Sequence, residues 1–439
     1  MCMVTSGFYL SLLGLSTVGN LHPKEDPYSA LREFTAVVRE QPLSARAALG
    51  RAQCLDAIAL AERSNDRLEQ AIASYRSVLE IAEDHPELVS ERLLRAAANT
   101  LVDKLRFRGH LSACVSVQKR LLRLYPDDAV LHNQLGITLL LQGQPAAAQR
   151  VFEAVLQRHP NNGLAQVHLG FILKTTRGNN TEGARLMKAG LASQEPGTDD
   201  ARFFFHLGDA LQRLGQINFV LLQVYVEAAA KGLFLRPTQR SLYNVDRLTA
   251  KPVWTLEETT YKDFLRKLEE NWKDIRDEGL ALISAPKSSG YQPEAENLRD
   301  RGAWGQLELY SRGRQNRVNC ARTPKTCAIV GSFEPAAGCR RGQIKFSLME
   351  GGTHVWAHCG PTNCRLRAHL GLVVPKTEPV PVIRVEDQYL TWREGEVIVF
   401  DDSFEHEVWH NGTEARLVLI VDLWHPELSS EERAKLSAV

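Results

Sequence analysis

From about Pro27 to Gly215, apolar residues, mostly Ala and Leu, recur at three- and four-residue spacing between short turns, which predicts a run of amphipathic helices. The helices repeat. Pro126 and Pro160 lie 34 residues apart, as do Leu135-Gly136 and Leu169-Gly170, and each proline follows an apolar helix end, RLLRLYP or AVLQRHP. Leu207-Gly208 follows Leu169-Gly170 after 38 residues, and Pro42 and Pro86 mark looser copies upstream. This is tetratricopeptide-like spacing, with small residues where paired helices must approach closely. Such an array predicts a concave surface for a peptide or protein, with a bare helical scaffold as the plainer alternative.

The pattern then changes. INFVLLQVYVEAAAKGLFL, residues 217–235, is a long apolar run suited to a last packed repeat helix or a junction helix. Thr255–Leu282 predicts one helix, opened by a capping box from Thr255 to Glu258 and carrying Tyr261, Phe264, Leu268 and Trp272 on one face. Residues 283–340 read as loop-rich, with Pro, Gly and charges. From Gly342 onward the period is two: Ile344, Phe346 and Leu348 share one face, Lys345, Ser347 and Met349 the other. In RLRAHLGL, Arg365, Arg367, His369 and Gly371 oppose Leu366, Ala368, Leu370 and Leu372. Further strands are expected at 389–392, 396–400, 406–410 and 416–422, which together predict a small antiparallel barrel or jelly roll. The fold class is therefore α+β, an N-terminal helical repeat region followed by a C-terminal strand-rich domain. The expected boundaries are 1–26 for an N-terminal segment, 27–240 for the repeats and 241–439 for the second domain.

At 439 residues the chain is long enough for two or three cores. Its formal net charge of +1 and the absence of a long basic run argue against a nucleic-acid partner. Of eight cysteines, five fall at Cys320, Cys327, Cys339, Cys359 and Cys364; Cys320 and Cys327 enclose CARTPKTC, compatible with a local disulfide or with two reduced thiols. Residues 7–19 form an apolar stretch too short to span a bilayer and without a preceding Lys or Arg, an imperfect secretory signal that leaves membrane association open. Sequons at Asn179 and Asn411 are compatible with a secretory route and glycosylation.

Two arginines and a histidine on one strand face, opposite leucines that need a core, read as a pocket lining, with Ser347 and His358 as neighbours. His354 and His358 are four apart, but there is no HExxH and glycines bracket the segment, so strand and turn are expected rather than a zinc-binding helix. Non-haem iron(II) oxygenases generally use two histidines and one carboxylate. An HxD arrangement from His358 would put the acid at residue 360, where Gly360 stands; the distal histidine would be His406, 48 residues on. Asp401, Asp402, Glu405 and Glu407 remain as alternative third ligands, with turn or surface acids as the plainer reading.

GQIKFSLMEGGTHVWAHCGPTNCRLRAHLGLVVP, GEVIVFDDSFEHEVW and LIVDLWHPEL resemble the catalytic domain of the aspartyl/asparaginyl β-hydroxylase family of iron(II) and 2-oxoglutarate dependent oxygenases, and the upstream repeats resemble that family's tetratricopeptide region. The resemblance runs from about Ser241 to the end. It implies a double-stranded β-helix (jelly-roll) oxygenase domain using Fe(II), with 2-oxoglutarate and O2 as cosubstrates. It further implies His358 and His406 as metal ligands without a third carboxylate. Arg416 and Ser347 would hold the far carboxylate of 2-oxoglutarate, Arg367 and His369 the end nearer the metal. Substrate contacts would be Tyr243, Arg299, Trp304, Gln306 and Arg365, and Cys320 and Cys327 would pair. The implied reaction hydroxylates the β-carbon of Asp or Asn in epidermal-growth-factor-like domains, in the endoplasmic reticulum lumen, giving succinate and carbon dioxide. The alternatives are a same-fold oxygenase with another protein substrate and an inactive repeat adaptor.

Overall fold

The computed structural model describes residues 26–216, 219–283 and 290–439. The expected secretory-type segment at 7–19 lies outside them. The chain divides into two compact units: Gly178–Lys188 and Gly197–Val439 form one, and the preceding helices with Ala189–Pro196 form the other.

The first unit is helical, with helices including Ala45–Glu62, Asn65–Asp84, Glu91–Phe107, Ala129–Leu141 and Pro145–Arg158. Ser44, Ser64, Ser90 and Asp128 cap four of them, each side chain accepting from a backbone N–H of the first turn. The conspicuous glycines have a packing reason. A Cβ at Gly136 would stand 2.5 Å from the Phe152 ring, and one at Gly50 would stand 2.4 Å from Phe34. An aromatic side chain of the adjoining helix thus lies against bare backbone.

The same device recurs at Gly208, where the intruding ring is Tyr225, yet this pair belongs to the second unit. The compact unit that holds the strands thus also includes helices before residue 240. Helices Ala201–Arg213 and Phe219–Ala230 continue the repeat-like sequence, but the Gln212 amide donates to the Ala357 carbonyl at 3.1 Å and Arg213 to Asn297 O at 2.7 Å.

The second unit is built on two antiparallel sheets. The strands are β1 Val253–Trp254, β2 Gln292–Pro293, β3 Arg299–Arg301, β4 Trp304–Ser311, β5 Arg314–Gln315, β6 Gln343–Met349, β7 Thr353–His358, β8 Arg365–Val373, β9 Val382–Val385, β10 Gln388–Thr391, β11 Val397–Phe400, β12 His406–His410 and β13 Arg416–Trp424. The larger sheet runs β1-β11-β8-β13-β6-β4-β2 with β5 beside β4; the smaller runs β10-β9-β12-β7-β3. The faces divide as alternation requires. Phe346, Leu366, Leu370 and Leu419 pack with Phe264, Leu268 and Ile275 of the covering helices, while Met349, Val355, Ile383, Phe400, Val408 and Val418 form a second cluster.

Two expectations are corrected. The 255–282 segment is not one helix: the Thr255–Glu258 hydrogen bonds form, but helices run Lys262–Glu270 and Trp272–Ala281, because Thr260 takes φ 62° and the chain breaks at Asn271. Residues 290–340, read as part of a loop-rich stretch, hold more regular structure than expected. They hold β4, an inner strand pairing β6 from Trp304 to Ser311, and short helices at Arg317–Arg322, Pro324–Gly331 and Glu334–Ala337. Cys320 and Cys327 are disulfide-bonded there, with Cα atoms 5.5 Å apart.

Gly136→Ala is expected to destabilise the first unit by about 1–3 kcal/mol through overpacking against Phe152. Chemical denaturation followed by helical circular dichroism measures it; an unchanged midpoint would contradict the close-approach account.

Candidate active site

His358 ends β7 and His406 begins β12, and antiparallel pairing sets the two opposite each other. Their rings lie 4.1 Å apart between centroids. His358 Nδ1 bonds the Trp356 carbonyl at 2.7 Å and His406 Nδ1 the Phe404 carbonyl at 2.9 Å. A carbonyl only accepts, so each Nδ1 carries the proton and each Nε2 keeps its lone pair. Burial lowers the pKa of both rings, that of His406 well below the ordinary value, with the neighbouring His358 adding to the effect. Two neutral imidazoles whose Nε2 lone pairs are left free could hold a metal ion.

No third ligand joins them: among the described residues no group of three His, Cys, Asp or Glu could hold a metal ion. The Gly360 position shows why a carboxylate is hard to place there. A Cβ on Gly360 would sit 2.4 Å from Asp402 Oδ2. Asp402 is itself engaged, receiving Arg365 Nε at 3.2 Å and Arg365 Nη2 at 2.6 Å, with Arg367 Nη1 at 3.2 Å. Burial opposes its ionisation, but the two guanidinium groups outweigh burial and hold its carboxyl below the usual range. Asp401 differs: burial pushes it up to about 8, and it accepts from the Ser403 N–H.

The larger sheet supplies a second cluster. Arg416 begins β13, is 2% exposed, and has no carboxylate partner among the described residues; Nη2 reaches Ser347 Oγ at 3.3 Å and Nε is unpartnered. Burial alone drives its pKa down to about 9. A guanidinium still holds its proton at neutral pH, so this is a buried positive charge without a carboxylate counterion among the described residues. His369 of β8 adds a donor: its Nδ1 accepts from Trp392 Nε1 at 3.3 Å, which puts the proton on Nε2, a buried atom with no partner. Trp304 Nε1 donates to Ser347 Oγ at 2.9 Å, and the Arg416 guanidinium lies 4.4 Å from the Trp392 ring centre. A cation without a carboxylate partner, a hydroxyl and a free N–H could together take an anion.

The remaining expected residues separate. Arg367 points Nε and Nη2 at Asp422, at 2.7 and 2.9 Å, leaving each terminal nitrogen a further N–H. Arg365 is 5% exposed, and its nitrogens meet Asp402, Asp422 at 3.0 Å and the Arg341 carbonyl at 2.5 Å, which leaves Nη2 one further N–H. Gln306 accepts from Lys345 Nζ at 2.9 Å and keeps its amide nitrogen unpartnered. Arg299, on exposed β3, bonds Gly302 O at 2.7 Å and shares a cleft with Trp304. Tyr243 is half-exposed, its backbone N–H bonding the Pro361 carbonyl beside Gly360.

Sequence reasoning gave no part to Lys345, Asp422 and Trp392. Lys345 was legible: it shares the strand face of Ser347. It is 4% exposed, and burial followed by repulsion from Arg367 pushes its ammonium down to about 8.

A lysine depressed from an ordinary value of about 10.4 binds fewer protons folded than unfolded, so its cost is full below pH 8 and disappears as pH rises towards 10.4. Lys345→Met is therefore expected to stabilise the domain by roughly 2–3 kcal/mol at pH 7, with the gain vanishing above pH 10. Denaturant melts at both pH values check this; a destabilised variant at pH 7 would contradict it.

Comparison with known proteins supplies the family. The profile described as aspartyl/asparaginyl beta-hydroxylase matches residues 269–426, and tetratricopeptide-repeat profiles match residues 52–85 and 133–173. Aspartyl/asparaginyl beta-hydroxylase of mouse (Mus musculus) is 46% identical over 410 residues, covering 93% of this chain and 54% of its own length. The human protein (Homo sapiens) is likewise 46% identical over 93% of the chain and 53% of its own length. Aspartate beta-hydroxylase domain-containing protein 2 of Xenopus tropicalis is 33% identical over 39% of the chain and 47% of its own. This chain thus spans about half the length of the mouse and human relatives. With the repeat region and the two-histidine jelly roll both matched, the chain belongs to the aspartyl/asparaginyl beta-hydroxylase family.

Proposed function

We propose that this protein hydroxylates the β-carbon of Asp or Asn residues in epidermal-growth-factor-like domains, using iron(II), 2-oxoglutarate and O2 and releasing succinate and carbon dioxide. The observation that carries the reading is the buried, counterion-free Arg416 beside Ser347 and the free His369 Nε2, in the same domain as the paired His358 and His406. A dicarboxylate with a 2-oxo acid end suits that arrangement. Arg416 and Ser347 would take its far carboxylate, and His369 with the spare N–H groups of Arg367 the end near the histidines.

Iron(II) held by His358 and His406 would supply the oxygen-activating chemistry. The protein groups bind, orient and exclude water. Asp402 and Asp422 hold Arg365 and Arg367 in place, so the inner face of β8 is fixed before any ligand arrives. Lys345 and the unpartnered Gln306 amide offer a cation and a donor to the side-chain carboxylate or carboxamide of a substrate, with Arg299, Trp304 and Tyr243 towards the surface. The Cys320–Cys327 disulfide and the exposed Asn179 and Asn411 suit an oxidising, glycosylating compartment, which supports the endoplasmic reticulum lumen.

With iron(II), ascorbate and 2-oxoglutarate, a peptide spanning an epidermal-growth-factor-like domain is expected to gain one oxygen atom by mass spectrometry, matched by succinate. His406→Ala should lower turnover at least about 100-fold. Succinate formation without oxygen gain on any Asp or Asn would reject this substrate class and favour a same-fold oxygenase for another protein.

A further inference from the structure

His354 lies on β7, four residues before His358, on the opposite side of the sheet from Thr353 and Val355. It is 8% exposed, and both ring nitrogens meet carboxylates: Nδ1 lies 2.9 Å from Asp300 Oδ2, and Nε2 lies 2.9 Å from Glu407 Oε1. Arg384 balances the acids on the neighbouring strand, reaching Glu405 at 2.9 Å and Glu407 at 3.0 Å, and Arg240 meets Glu405 at 2.8 Å. A continuous chain of side-chain contacts therefore runs from Arg240 through Glu405, Arg384, Glu407 and His354 to Asp300.

The last link ends on a weak element. Strand β3 has three residues, all exposed, at the edge of the sheet, and its pairing to β7 is irregular: Arg299 faces Val355 and Arg301 faces His354, with a register shift between them. Asp300 sits at that shift. A short, bulged edge strand is held loosely by its ladder alone. Yet β3 carries Arg299, which borders the cleft with Trp304, Leu348 and Glu350. The Asp300–His354–Glu407 bridge ties this strand through β7 to β12, the strand that begins with His406.

We propose that His354 is a positioning residue: by clamping Asp300 against Glu407 it fixes β3, and with it Arg299, in the register the substrate cleft needs. This rests on the reading of Arg299 as a substrate contact. His354 meets Asp300 and Glu407 and is part of neither the His358–His406 pair nor the Arg416–Ser347–His369 cluster, so its loss acts on substrate binding and not on the cosubstrate cradle.

Hydrogen–deuterium exchange separates the clamp from its consequence. In His354→Gln and in Asp300→Ala, whose changed side chain is partly exposed and tolerable to the fold, residues 298–303 should exchange several-fold faster while 406–410 keep their protection. With the epidermal-growth-factor-like peptide, KM should rise about 10-fold, while kcat and the KM for 2-oxoglutarate stay within about 2-fold. Asp300→Asn, which retains an acceptor oxygen, should recover most of the loss. Adding Arg299→Ala to His354→Gln should raise KM no further than Arg299→Ala alone. Unchanged exchange at 298–303, fully additive KM effects, or an equal rise in the KM for 2-oxoglutarate would overturn the proposal. If Arg299→Ala alone leaves the peptide KM unaltered, the reading of Arg299 as a substrate contact fails, while the exchange result still decides whether His354 holds β3.

Discussion

Buried charge is the constraint on which the second unit depends. The face of β6, β8 and β13 opposite the leucine-rich core carries Lys345, Arg365, Arg367 and Arg416, all largely removed from water, and the acids that face these four are chiefly Asp402 and Asp422. An uncompensated buried cation costs several kcal/mol, so such a domain holds together only if most charges are paired and the surplus has a use. Arg365 and Arg367 are paired by Asp402 and Asp422, and Lys345 is eased by a lowered pKa and the Gln306 oxygen. Arg416 is left over. Under the proposed function its partner is a carboxylate of the cosubstrate.

The same ion cluster bears on the metal pair. Asp402 occupies the space into which a side chain at residue 360 would grow, so the glycine there is a steric requirement of the Arg365–Asp402 bridge as well as a missing ligand. The two histidines need no acid to be oriented. Carbonyls of their own strands, at Trp356 and Phe404, set both tautomers.

Much of this was legible in the sequence where the signal is local. The alternation of RLRAHLGL separated Leu366 and Leu370 from Arg367 and His369, and the structure keeps that division; the 34-residue period found the repeats, and Gly136 against Phe152 gives its physical reason. What escaped was non-local. The pairing of Arg365 with Asp402 spans 37 residues and that of Arg367 with Asp422 spans 55, so neither can be read before the sheets are assembled. β4 was hidden because a register irregularity between Glu308 and Tyr310 spoils its alternation, and β9 because four residues make too short a pattern. Leu207-Gly208 repeats the local signature of helices in the first unit yet packs in the second, a division that no local pattern encodes.

The central claim is that Arg416 is a cation awaiting a carboxylate. Calorimetric titration of the iron-loaded protein with 2-oxoglutarate and with 2-oxobutyrate, which lacks the far carboxylate, tests it directly. The account predicts that the wild-type chain prefers 2-oxoglutarate by about 100-fold or more, and that Arg416→Met binds both compounds with the same weak affinity. Retained preference for 2-oxoglutarate in Arg416→Met would contradict it.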